Sequence, residues 1–175
     1  VLDRIGLNSF DIAYRTCGPA HDLEIPQAAD NYEALMCREF PEHAVGIRDL
    51  FATMEKIDAG GGNDLSPEAM ACMDLTLQEM VEQHVKDERI LAIFATLGGY
   101  IGLVPSQVSA FMYAMMWNSY HFGGCFYVKG GGQALSDAFV DIIEENGGKV
   151  LLNTEVKQIL TEGGRTVGVE TAKRG

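Results

Sequence analysis

Positive charge is scarce in this chain of 175 residues: Lys and Arg total 13 against 25 Asp and Glu, a formal charge of −12. Such a surface repels phosphate backbones and anionic lipid leaflets, which argues against nucleic acid as a partner. Charge of either sign is missing altogether from residues 90–128, where there is no Asp, Glu, Lys or Arg. That stretch is not a membrane span. Gly98, Gly99, Pro105, Gly123 and Gly124 interrupt it, and no unbroken apolar block reaches the roughly 20 residues that a spanning helix needs. Metal-ligand spacing is also absent. Cys17, Cys37, Cys72 and Cys125 form no CxxC pair, and His21, His43, His84 and His121 form no HExxH pattern, so no metal site is expected. No secretory leader opens the sequence, and four free thiols in a reducing cytoplasm are the corresponding expectation.

What is present is ordinary for a globular protein. Hydrophobic residues make up 47% and charged residues 22% of the chain, enough for one domain with a core or two small lobes. The sequence begins at Val1 without Met and stops at Gly175 just after a strand pattern. It therefore reads as an internal piece of a longer protein.

Loose alternation over residues 10–15, a Gly18-Pro19 break and Leu23-Glu24-Ile25-Pro26 predict a hairpin. Asp30 is placed to cap a helix over residues 31–40. Pro41 suits the first turn of the next helix, with Val45, Ile47, Leu50, Phe51 and Met54 as its apolar face. Gly60-Gly61-Gly62 lacks a preceding strand and reads as a surface loop. Ser66, Thr76 and Asp87 are set to cap helices over residues 67–75, 77–85 and 88–97. A further helix over residues 106–120 carries Val108, Phe111, Met112, Met115, Met116 and Trp117. These residues suit a central core helix, and they equally suit the wall of an apolar cavity, since Met and aromatic side chains adapt to a hydrophobic ligand.

The pattern is most ordered after residue 125. Gly130-Gly131-Gly132 opens a helix with Ala134, Leu135, Ala138, Phe139, Ile142 and Ile143 on one side and Asp137, Asp141, Glu144 and Glu145 on the other. Asn146-Gly147-Gly148 supplies its stop. Val150-Leu151-Leu152 reads as a short buried strand. Residues 155–160 and 166–171 then alternate around Glu162-Gly163-Gly164-Arg165 as a hairpin. Free N–H groups at a glycine-led helix start, with the positive end of the helix dipole, suit a phosphate or an electron-rich ring; a plain tight turn is the competing reading. A complete dinucleotide fingerprint is not there, because Leu135 stands where the third glycine of G-x-G-x-x-G would fall.

Taken together, Tyr127-Val128-Lys129-Gly130-Gly131, the helix, Glu145-Asn146-Gly147-Gly148, the strand Asn153-Thr154-Glu155-Val156-Lys157-Gln158-Ile159 and Gly168-Val169 resemble the phytoene desaturase, carotenoid isomerase and retinol saturase group of flavoproteins, relatives of the FAD-containing amine oxidases. Upstream, Pro41-Glu42-His43, Gly99-Tyr100-Ile101-Gly102 and Pro105-Ser106 are similar to features of that group. Val128 and Gly132 depart from it, standing where the group commonly has Pro and a larger side chain.

The resemblance implies an α+β piece of an α/β FAD-linked oxidoreductase: a mainly helical substrate lobe with a hairpin over residues 1–125, and part of the FAD-binding domain over 126–175. It implies FAD contacts at Gly130, Gly131 and Val156, the last through its main chain with the side chain packed inward. Trp117, Tyr120, His121 and Tyr127 are expected near an apolar isoprenoid or polyene substrate whose C=C bonds are desaturated, saturated or isomerised; no catalytic acid or base emerges. Peripheral membrane contact of the parent protein follows from such a substrate, while its oligomeric state is left open. The piece alone is expected to be inactive. A flavin amine oxidase and a non-enzymatic prenyl-binding protein on the same scaffold are the alternatives.

Overall fold

The computed structural model describes residues 1–58 and 65–172. The loop expected at Gly60-Gly61-Gly62 lies outside the described residues. The chain divides into two compact units, one of Asn8–Tyr127 and one of Val1–Leu7 with Val128–Gly175. The chain passes from one to the other within two short strands, β1 (Leu7–Ser9) and β4 (Phe126–Val128).

In the larger unit, β2 (Ile12–Gly18) and β3 (His21–Pro26) pair antiparallel, with Gly18 opposite His21 at the turn and Ile12 opposite Pro26 at the far end. Five helices carry the core: α1 (Ala29–Glu39), α2 (Ala44–Asp58), α4 (Leu77–Glu82), α5 (Glu88–Phe94) and α6 (Ala110–His121), with the short α3 (Pro67–Ala71) beside α2. Tyr32, Met36, Ile47, Leu50, Met54, Leu77, Ile90, Phe94, Tyr113 and Trp117 form its fully buried centre.

Local chemistry starts most of these helices where the sequence places them. The Ser66 hydroxyl accepts from the Ala69 N–H at 3.0 Å. Thr76 and Glu79 cap one another reciprocally, and the Asp87 carboxylate accepts from the Arg89 N–H at 2.8 Å. Such caps each satisfy backbone donors that a helix start would otherwise leave unpaired. Helix ends differ from expectation: α3, α4 and α5 are shorter, and α5 tightens into a 3-10 turn over Ala95–Tyr100. Helix α1 begins at Ala29 with Ala28 as an uncapped lead-in, so Asp30 is a first-turn acid favouring the dipole and not the cap. Val45 points to solvent, because the stripe that α2 buries runs through Ile47, Leu50, Phe51 and Met54. Helix α6 starts at Ala110, with the Ser109 hydroxyl accepting from the Met112 N–H.

The smaller unit is built from α7 (Gly132–Glu145) and a hairpin of β5 (Val156–Glu162) with β6 (Arg165–Thr171). Gly163 and Gly164 both take positive φ, 54° and 78°, as a two-residue turn with the twist of a hairpin requires. A bidentate ion pair from Arg4 to Glu145, 2.6–2.8 Å, ties the first residues to the end of α7. Two expectations fail here. Residues 150–152 are not a strand, and Leu151 and Leu152 are exposed. A strand exists only as part of a ladder, and the β5–β6 hairpin pairs with itself. On α7, Ala138 is buried while Phe139 and Ile143, from the predicted inner stripe, are exposed.

Among the described residues no helix is long and apolar enough to cross a membrane. The α+β character expected from the sequence is what the structure shows: seven α-helices and six short strands among the described residues, the strands pairing only as two-stranded sheets.

Gly46 reports how tightly α2 is packed. A Cβ built there would collide with the His84 carbonyl oxygen, a backbone atom that cannot swing away. Gly46→Ala is expected to destabilise the protein by about 2–3 kcal/mol in urea unfolding, whereas Gly99→Ala, with no atom within 4 Å, leaves the midpoint nearly unchanged.

Candidate functional site

The predicted cofactor residues lie in the smaller unit. Gly130 and Gly131 have φ of 87° and 82°, in the left-handed region that side chains disfavour. The Gly131 N–H donates to the Val128 carbonyl at 2.9 Å, and its own carbonyl accepts from the Ala134 N–H at 3.1 Å. A Cβ at Gly130 would press on that of Ala134 at 3.3 Å, while one at Gly132 would meet nothing within 4 Å. No side chain caps α7 and no acid occupies its first turn. The turn therefore presents bare backbone at the positive end of a helix fourteen residues long, which fits an anionic or electron-rich group. Val156 opens β5 opposite Thr171, and its side chain is exposed instead of packed inward.

The predicted substrate residues all fall in the other unit: Tyr127 is an exposed residue of β4, and Trp117, Tyr120 and His121 separate by helix face. Trp117 and His121 are one turn apart on the core side of α6, their rings 4.3 Å between centroids. Trp117 has no solvent-accessible surface and packs against Phe51 and Phe94, both at 5.4 Å, and Tyr32 at 6.0 Å. Its indole nitrogen has no hydrogen-bond partner among the described residues. The His121 Nδ1–H donates to the Gln27 carbonyl at 2.9 Å. Because a carbonyl only accepts, this fixes the tautomer and leaves Nε2 to accept from the Tyr14 hydroxyl at 3.4 Å. Burial disfavours the charged imidazolium and pushes the His121 pKa down to about 4.

The opposite face of α6 is the unusual one. Met112 and Met115 are exposed, and Phe111, Met116 and Tyr120 are half-buried. A helix that packs on one face ordinarily turns charge to water on the other; this one has none. Tyr120 stacks on Tyr100, ring centroids 6.1 Å apart and planes 29° apart. Burial, and then the neighbouring Tyr100, raise the Tyr120 phenol pKa above its usual range. A cavity of about 290 Å³ opens beside this end of the face, lined by Ser119, Tyr120, Gly124, Cys125 and Phe126.

The sequence is matched among known proteins. Residues 11–174 fit the family described as flavin containing amine oxidoreductase. The chain belongs to that family. A phytoene desaturase (neurosporene-forming) from Cereibacter sphaeroides is 33% identical, across 93% of this chain and 36% of its own length. A 4,4'-diapophytoene desaturase from Methylomonas sp is 31% identical, over 50% of this chain and 17% of that protein. A phytoene desaturase from Neurospora crassa is 35% identical, over 47% of this chain and 14% of its own. The chain thus spans little more than a third of the length of these relatives at most.

Sequence reasoning missed Tyr14, Gln27 and Tyr100. The first two meet His121 from far along the chain, and no local pattern announces such a contact. Tyr100 did carry a signal: an aromatic residue between Gly98-Gly99 and Gly102.

His121 Nε2 accepts from Tyr14 of the hairpin only while the ring is neutral. Between pH 6.5 and about 4 the unfolded chain takes up a proton that the folded chain refuses, so stability falls as the pH drops through that window. The expected loss is about 3 kcal/mol at its acid end. Unfolding midpoints from pH 7.5 to 4 measure it, and His121→Gln flattens that part of the profile.

Proposed function

We propose that the protein containing this chain is an FAD-dependent oxidoreductase acting on the C=C system of an apolar polyene, with desaturation the direction favoured by the names of its relatives. In this reading the Asn8–Tyr127 unit forms the substrate lobe and the other unit part of the FAD-binding domain. The observation that carries it is the outward face of α6. Met112, Met115, Met116 and Tyr120 present an apolar, charge-free surface on a helix whose other face already fills the core. Hydrocarbon suits such a wall, since Met side chains conform to an extended chain and no charged group must be stripped of water. An amine substrate would instead call for an aromatic cage around nitrogen. Trp117 and His121 support this wall from behind, holding α6 by its inner face.

Gly130 and Gly131 would hold FAD by the close backbone approach that their missing side chains allow at the start of α7, and Val156 through its main chain. When bound, FAD supplies the two-electron acceptor or donor. The residues of this chain orient the polyene and keep water from it.

Two substitutions test the wall in the whole protein. Met112→Glu and Met116→Glu keep helix propensity but place a charge in the hydrocarbon contact; each is expected to raise KM for the polyene about tenfold or more with flavin content unchanged. Unaltered KM in both sinks the placement. Gly131→Val forces a β-branched residue to positive φ at a cost of about 1–3 kcal/mol, and is expected to lower flavin occupancy, read from the visible absorption band. The 175-residue chain by itself is expected to be colourless and inactive; a near-stoichiometric flavin band in it would overturn that.

A further inference from the structure

We propose that Tyr100 is a glycine-hinged aromatic cover over Tyr120, and that the two rings grip a flat conjugated hydrocarbon chain lying along the outer face of α6. This rests on the reading of that face as the polyene wall and adds the residue that selects conjugation. Tyr100 is 74% exposed, and its ring packs on that of Tyr120. It stands in an uncharged run in which Ile101, Leu103 and Val104 are exposed as well.

Tyr100 ends the 3-10 turn Ala95–Tyr100, and the N–H groups of Ile101 and Gly102 after it both donate to the Gly98 carbonyl at 3.0 Å, so lifting the ring exchanges at most these two turn bonds for water. Gly98 and Gly99 precede Tyr100, and Gly102 follows with φ of 76°; a side chain built at Gly99 or Gly102 would touch nothing within 4 Å. Neither glycine sets a side chain in the way of a reoriented Tyr100. Tyr120, by contrast, is fixed near the end of a twelve-residue helix whose inner face is buried.

Met112, Met116 and Tyr120 recur every fourth residue, which lines them up along α6 over about 12 Å at 1.5 Å per residue. A rigid chain laid on the two Met side chains arrives at the Tyr120 ring, with the cavity of about 290 Å³ beyond it for the chain's end. Aromatic faces favour offset stacking with centroids about 4.5–7 Å apart. The Tyr100–Tyr120 pair already lies in that range at 6.1 Å, so a conjugated chain replaces one π-face with another as Tyr100 lifts and closes again over it. A saturated chain of the same length offers no π-face and loses more rotational freedom on binding. Selection for conjugation follows.

Binding to the whole flavoprotein tests this, with a colourless short-conjugation polyene, a longer conjugated one and a fully saturated analogue presented in the same detergent micelles. Tyr100→Leu is expected to weaken the longer conjugated ligand about five- to tenfold, the scale of one aromatic pair, to act through KM and not kcat, and to leave the saturated analogue within about twofold. Tyr100→Phe is expected to behave as the native protein, because the ring and not the hydroxyl makes the cover. Equal loss for saturated and conjugated ligands, or no loss for either, overturns the cover. If Met112→Glu and Met116→Glu also leave polyene binding unchanged, the wall itself is wrong; if they weaken it while Tyr100→Leu does not, the cover alone fails.

Discussion

The packing of Trp117 holds the larger unit together. Its indole sits among Phe51, Phe94, Tyr32 and His121, which brings α1, α2, α5 and α6 to one point. Removing a buried tryptophan of this kind costs about 3–5 kcal/mol, a large part of the margin of a small domain. Because α6 is anchored by this face, its outer side, with Met112 and Met115 exposed and Met116 and Tyr120 only flanking the core, is not what secures the helix. That separation lets one short helix serve both as the spine of a core and as an uncharged surface.

The hairpin of β2 and β3 joins the same core through polar contacts and not by apolar area alone. Tyr14 reaches His121, and Thr16, itself buried, contacts His21 at 3.0 Å and Thr96 at 2.7 Å. Each of these groups is satisfied inside the protein, as a buried hydroxyl must be to avoid its desolvation cost. The smaller unit depends instead on local instructions. Its hairpin turn needs two glycines at positive φ, and its helix starts on glycines for the same reason. Apolar side chains such as Val156, Ile159 and Val169 are left at the surface.

How much of this was legible follows from the range of the forces involved. Caps at Ser66, Thr76 and Asp87 and the Gly163-Gly164 turn were readable because each is decided within three or four residues. Asp30 was misread because a polar residue near a helix start serves either as cap or as first-turn acid, and the choice depends on where the preceding strand releases the chain. Residues 150–152 were misread because an apolar run of three fits a short strand and a loop equally well, and periodicity does not separate the two. Trp117, Tyr120 and His121 are neighbours in sequence, yet the helix turns the first and last to the core and Tyr120 outward. Composition alone could not sort them; the position of the core did.

The absence of charge from residues 90–128 is thus more than a deficit of Asp, Glu, Lys and Arg. His121 is the one titratable cation-former in that stretch, and its burial, opposed by the Gln27 carbonyl that accepts from Nδ1, keeps it neutral down to about pH 4. A protonated imidazole there would sit one turn from Trp117 and next in sequence to Tyr120. Its field would extend across the thickness of a single helix with little solvent to screen it. The hydrogen bond from Tyr14 needs the neutral ring as well, so the contact that anchors the hairpin is also the one that preserves an apolar, uncharged α6. Stability of the core and the electrostatic character of the proposed wall therefore depend on the same proton being absent.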